Sequence, residues 1–119
     1  MYTNILVATD GSATAQRAVR MGVGIAGALG AKITVLHVGD AFEGETVLSK
    51  VRDEHGDVRT LTVSGDPADK ILEVAESDRS DLIVIGNKGM SGAKRFLLGS
   101  VPNKVSHHAP CNVLIVKTT

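Results

Sequence analysis

Five short apolar runs recur along the chain: NILVAT (4–9), KITVLHV (32–38), VRTLTV (58–63), DLIVIG (81–86) and NVLIVK (112–117). Each is rich in Val and Ile and bounded by turn residues, which predicts strands. Between them the period changes. Over residues 13–30, Ala15, Ala18, Val19, Gly22, Ile25, Ala26 and Leu29 recur at three- and four-residue spacing, which predicts a helix with Gly30 as its stop. In DPADKILEVAES, Asp66 is placed to cap a helix, Pro67 takes its first position, and Ala68, Ile71, Leu72 and Ala75 form one face. Residues 43–56 predict a short helix with Val47, Leu48 and Val51 inward, and residues 101–109 predict a last one. The alternation of strand and helix implies one α/β domain over residues 1–119, an open five-stranded parallel sheet with helices on both faces.

The third strand sets the strand order. Arg59, Leu61 and Val63 fall on one face and Thr60 and Thr62 on the other, an alternation that suits an edge. Central parallel strands, covered on both faces, read as near-continuous apolar runs instead. The order 3-2-1-4-5 therefore fits better than 2-1-3-4-5. Strands 1 and 4 are then neighbours whose connections leave in opposite directions, and ligands of open α/β sheets bind outside the carboxyl ends of such a pair. Those ends carry ATDGS (8–12) and GNKGMSG (86–92).

Composition narrows the class of partner. With 13 basic and 13 acidic residues the formal charge is zero, which argues against a general nucleic-acid binder. Three per cent aromatic residues and no Trp make base-stacking platforms improbable. Cys111 is the one cysteine, so no internal disulfide is available and a reducing compartment is the natural reading. MYTNILVATD enters a strand within a few residues, and no apolar run approaches the length of a membrane helix. The expectation is a cytoplasmic protein that engages neither membrane nor nucleic acid.

GVGIAG (22–27) matches the dinucleotide fingerprint G-x-G-x-x-G, but that motif works only in the turn directly after a strand. Here it lies inside a helical pattern, where close packing of helix on sheet explains it. GNKGMSGAKRFLLGS (86–100) has the right context. Gly86 and Gly89 allow backbone N–H groups to approach an anion, and Lys88, Lys94 and Arg95 offer countercharge. Gly99-Ser100 then opens the last helix, whose first N–H groups favour negative charge. An unliganded surface loop with solvated cations is the competing reading. His107, His108 and Cys111 do not make a metal site, because adjacent helical histidines diverge by about 100° and Cys111 lies beyond Pro110. His37 sits within a strand as a packing residue. No nucleophile–base arrangement emerges, so no catalytic residue is assigned.

The spacing Gly86-x2-Gly89-x9-Gly99-Ser100 resembles the ATP-binding signature of the universal stress protein family, G-2x-G-9x-G-[S/T]. The likeness extends to NILVATDGS at the start, VLHV at 35–38 and GSVPNKVSHHAPCNVLIVK at the end. It implies a Rossmann-like domain, related to the adenine nucleotide alpha hydrolases, with order 3-2-1-4-5. It also implies a homodimer through strand 112–117, and bound ATP, or ADP or AMP, with Mg²⁺. Carried over by motif, Ala8, Thr9 and Asp10 would border the nucleotide and the Val38 backbone would meet adenine. Ile85 and Gly86 would lie against adenosine, while Gly89, Gly99, Ser100 and Val101 would hold ribose and phosphates. Asp10 would take a ribose hydroxyl or the Mg²⁺, although Asp in such a turn has a structural use too. The implied role is a nucleotide-dependent stress-response and signalling module. The alternatives are a slow metal-dependent ATP hydrolase and an interaction protein with an empty pocket.

The chain departs from the family pattern twice. Residues 39–57 form a shortened connection between the second and third strands, on the adenine side of the family's site. Pro102 stands where the family usually has Ser or Thr within reach of the phosphates, and proline lacks both a hydroxyl and an N–H.

Overall fold

The computed structural model describes residues 1–88 and 98–118. In chain order the elements are β1 (Asn4–Ala8), α1 (Ala15–Leu29), β2 (Lys32–Val38), α2 (Ala41–His55) and β3 (Arg59–Val63). They continue with α3 (Pro67–Ser77), β4 (Leu82–Gly86), α4 (Ser100–His108) and β5 (Asn112–Val116). All pairings are parallel and the order is β3-β2-β1-β4-β5, as the alternation in β3 predicts.

The strand period of two divides the apolar residues between two cores. Leu6, Leu36, Ile71, Ile83 and Val105 pack on the α3 and α4 face. Ile5, Val7, Val19, Val35 and Leu48 pack on the α1 and α2 face. Every residue of β1 from Ile5 to Ala8 is therefore buried, which explains its unbroken apolar run. On the outer strands, Thr60 accepts from Arg52 of α2 at 2.8 Å, while Val113, Leu114 and Ile115 of β5 stay half-buried.

Helix ends follow local chemistry. Asp66 Oδ2 accepts the Asp69 N–H at 3.0 Å with Pro67 in the first turn, the predicted cap. Asp40 does the same for Glu43 at 3.0 Å, which starts α2 two residues earlier than the apolar pattern alone suggests. α1 begins at Ala15 rather than 13, because the Ser12 hydroxyl accepts the Ala15 N–H at 3.1 Å and closes the preceding turn. Gly30 ends it in the left-handed conformation, φ 66°. Leu29, expected on the inner face, is 42% exposed at that end.

Gly22 explains the misplaced fingerprint. A Cβ there would lie 2.3 Å from Val7 Cγ2, so the bare backbone lets α1 approach β1. Gly24 and Gly27 face open space and serve no such contact.

Candidate functional site

β1 and β4 pair in parallel through Val7↔Val84, and beyond their carboxyl ends the chain turns to α1 on one face and α4 on the other. Ala8, Asp10, Ile85, Gly86, Lys88 and Val101 line the cleft that opens there. Three sequence segments predicted to share a site thus meet.

The turn after β1 is held by its own side chains. Thr9 N–H donates to Leu36 O at 2.9 Å, Gly11 N–H to Thr9 Oγ1 at 3.2 Å, and Ser12 N–H to Asp10 Oδ1 at 2.9 Å. This Asx turn orients the Asp10 carboxylate and uses one of its oxygens. Asp10 and Lys88 make no ion pair among the described residues, so the second Asp10 oxygen and the Lys88 ammonium line the cleft without a charged partner. Thr9 is only 2% exposed and turns its side chain away, toward α2. Its expected contribution reduces to backbone.

Val38 presents its backbone edge. The β1–β2 register stops at Ala8↔Leu36, while β2 goes on to pair Val38 with Val63. In a parallel ladder alternate residues turn both polar groups to the same neighbour. Since Leu36 O faces β1, the N–H and C=O of Val38 face the same way, past the point where β1 has turned off. Its side chain, with those of Ala8, Ile85 and Val101, belongs to the α3 and α4 core.

At the far end, Gly99 is the buried N-cap of α4, and its N–H donates to Asn87 O at 2.9 Å. The helical ladder begins with Asn103 N–H on Gly99 O at 2.9 Å. Ser100 and Val101 occupy the first turn. Pro102 follows with its ring buried, pointing into the protein and not toward the cleft. Proline there supplies neither an N–H nor a hydroxyl to the first turn of α4. Gly89, Lys94 and Arg95 lie outside the described residues.

Two residues of the site were not anticipated. Asn87 holds both Gly99 and Thr118, and Thr118 is 4% exposed and lines the cleft. Asn after a strand reads as turn punctuation, and Thr118 carries no pattern at all.

The enclosed part of the cleft is small, about 20 Å³, enough for one water. A nucleotide would therefore lie along the open crevice above it. A separate cavity of about 70 Å³ lies across the β1–α1 turn, between Gly11, Gln16, Val47 and Lys50. No set of three or more His, Cys, Asp or Glu among the described residues could hold a metal. His107 and His108 have ring centroids 6.4 Å apart at the exposed end of α4. His37 is buried at 3% exposure, and its Nδ1 finds no partner. Burial pushes the Cys111 thiol up. No helix among the described residues is long and apolar enough to cross a membrane.

Comparison with known proteins points one way. The model of the universal stress protein family matches residues 1–50 and 40–117, in two pieces that overlap in α2. Universal stress protein MJ0531 of Methanocaldococcus jannaschii is 33% identical over 141 residues, covering 98% of this chain and 83% of the relative. Universal stress protein YxiE of Bacillus subtilis is 31% identical, covering 98% of this chain and all of the relative. Both alignments are longer than the chain itself, so they carry gaps. A crystal structure of a universal stress protein in complex with cAMP superposes with a TM-score of 0.87 at 35% identity, covering 99% of this chain and 98% of the other.

Proposed function

The chain belongs to the universal stress protein family, and from that premise we propose that its cleft binds an adenine nucleotide whose occupancy is read out as a signal. The observation that carries this reading is the meeting of Ala8, Asp10, Ile85, Gly86, Lys88 and Val101 at the switch point. Adenine offers an acceptor at N1 beside a donor at N6, and the open N–H and C=O of Val38 complement that pair. Ala8 and Ile85 supply apolar contact for adenosine. Gly86 lies with Ile85 against adenosine in this reading, and Gly99, Ser100 and Val101, with Gly89 carried over by motif alone, would hold the ribose and phosphates, the start of α4 favouring their charge.

Lys88 adds countercharge. Asp10 has one carboxylate oxygen left over from its turn, and a single carboxylate plus phosphates suits Mg²⁺, which keeps most of its waters. The ion would arrive with the nucleotide and neutralise its phosphates. ATP is the proposed ligand, and the cAMP held by the structural neighbour makes cyclic nucleotides a necessary comparison. The proposed role is binding and signalling, with Asp10 the carboxylate that lines the cleft.

A second copy of the chain is proposed to cover β5, whose apolar edge otherwise invites uncontrolled pairing. The cytoplasm is the proposed compartment. One observation favours a different reading: an enclosed volume of about 20 Å³ suits an interaction protein whose cleft stays empty. Titration calorimetry of the purified protein with ATP, ADP, AMP and cAMP at fixed magnesium separates the two. The nucleotide reading expects saturable binding weakened by Lys88→Gln, most for ATP. No heat with any of the four, from protein shown to be folded and ligand-free, establishes the empty-cleft reading instead.

A further inference from the structure

Asn87 carries four hydrogen bonds to two other segments, the end of β5 with the residues just past it and the cap of α4. Its N–H continues the ladder onto Val116 O at 2.8 Å, and its carbonyl accepts the Gly99 N–H at 2.9 Å. Its side-chain Oδ1 accepts both the N–H and the hydroxyl of Thr118, each at 2.9 Å. Both lone pairs of that oxygen are therefore used. The amide orientation follows, because a backbone N–H donor requires the oxygen and not the nitrogen opposite it.

Thr118 is the wall against which this clasp closes. A Cβ on Gly86 would lie 3.2 Å from Thr118 Cγ2, so the threonine methyl rests on the bare end of β4. Thr118 borders the same cleft as Asp10 and Ala8. The end of β5, the end of β4 and the cap of α4 are thus tied through one residue, its backbone holding Val116 and Gly99 and its side chain holding Thr118.

We propose that Asn87 is a positioning residue through which Thr118, just past β5, fixes the phosphate-facing start of α4 relative to Asp10 and Gly86. Residues 86 and 99 flank the loop, and a hydrogen bond between Asn87 and Gly99 pins its two ends together. Without Oδ1 the Thr118 amide loses its partner in a buried position, and the clasp opens from the β5 side. The donors of the α4 first turn then lose their fixed distance from the cleft. The adenine contact at the Val38 edge lies on the other side of β1 and is untouched. The inference rests on the nucleotide reading for its binding arm only.

Asn87→Ala tests it in two ways. Amide hydrogen exchange at Thr118, which loses its partner, should accelerate about tenfold or more, and Gly99, whose bond to the Asn87 carbonyl is kept but no longer braced from β5, should also exchange faster, while the central amides of Leu36 and Ile83 keep their rates. ATP should bind about tenfold more weakly while adenosine binds as before. Asn87→Asp keeps both acceptor bonds and should restore slow exchange, yet leave ATP weak because a negative charge now stands near the phosphates. Should Asn87→Ala fail to fold, Thr118→Val, which removes only the hydroxyl bond, should show the same pattern at smaller amplitude. Unchanged exchange at Gly99 in a folded variant overturns the clasp, and so does equal weakening of ATP and adenosine. If the wild type binds no nucleotide, the exchange arm still decides the clasp, and the nucleotide reading falls separately.

Discussion

Three alanines distinguish the helical fingerprint from a ligand site. In GVGIAG, Gly22 stands against Val7, whereas Gly24 and Gly27 face open space. A methyl at residue 22 would sit 2.3 Å from Val7 Cγ2, well inside van der Waals contact. Val7 has no exposure and cannot yield easily, because it is β-branched and lies on the central strand. Overpacking of this kind costs about 1–3 kcal/mol, and the stiff neighbour places Gly22→Ala toward the upper end. Alanine returns about 1 kcal/mol of helix propensity, so the net loss should be about 1–2 kcal/mol. Gly24→Ala and Gly27→Ala collect the propensity without the clash and should each gain up to about 1 kcal/mol, with Gly27 gaining less near the fraying end. For a domain near this size, 1 kcal/mol moves Tm by about 4–8 °C, so the variants should part by many degrees. Urea unfolding of the three variants, with an ATP titration beside each, reads the result. All three moving stability in the same direction would refute the packing argument. Loss of nucleotide binding in Gly24→Ala or Gly27→Ala, with stability retained, would return the motif to ligand binding.

Asp81 fastens the amino terminus, accepting from Thr3 N–H at 2.8 Å, the Thr3 hydroxyl at 2.9 Å and Asn4 N–H at 3.0 Å. Burial pushes its carboxyl up, but those hydrogen bonds outweigh it and hold the group below the ordinary 3.8. A depressed folded pKa means stability present above 3.8 and lost as the pH falls through the lower folded value, so Asp81→Asn should cost about 1–3 kcal/mol near neutrality and flatten the acid limb of a pH–stability curve. An unchanged acid limb would show that the clasp is not ionic. Ile115→Lys should convert a wild-type dimer to monomer in sedimentation at micromolar concentration; a monomeric wild type ends the β5 pairing proposal. Pro102→Ala returns an N–H to the first turn of α4 and should tighten ATP several-fold more than AMP, at the expense of some stability because the proline ring is fully buried. Equal gains for the two nucleotides would show that residue 102 does not read the phosphates.

What was legible in the chain followed from periodicity and spacing. The alternation in VRTLTV placed β3 at an edge, and with that the β1/β4 switch point, because an edge strand tolerates Thr60 and Thr62 where a central one does not. Asp66-Pro67 announced a capped helix start for the same local reason that makes it one. Less legible were features created by tertiary approach. Leu29 fits the apolar face of α1 by spacing, yet the helix outruns the sheet there and leaves it exposed. The role of Pro102 depends on which way its ring points, and spacing does not encode that. Thr118 and Asn87 meet only after β4 and β5 pair, so a contact across 31 residues had no signal in the sequence.

The cleft also suggests which substitutions are informative. In the proposed nucleotide reading its recognition elements are mostly backbone: the open edge of Val38, the N-cap at Gly99, the first turn at Val101 and the bare Cα of Gly86. Replacing Val38 or Val101 by alanine removes apolar packing from the α3 and α4 core while leaving every backbone donor and acceptor in place. Such a scan would report stability and miss the ligand. Changes that alter the backbone itself, a Cβ at Gly86 or an N–H at Pro102, act on the binding groups directly. The short β2–α2 connection strengthens this asymmetry. α2 starts at Ala41, three residues past Val38, so few side chains stand on the adenine side to share the work. On the nucleotide reading, base recognition there would depend on how rigidly β2 holds one peptide edge, which the Gly39 N–H on Val63 O at 2.8 Å and the buried residues beneath it brace.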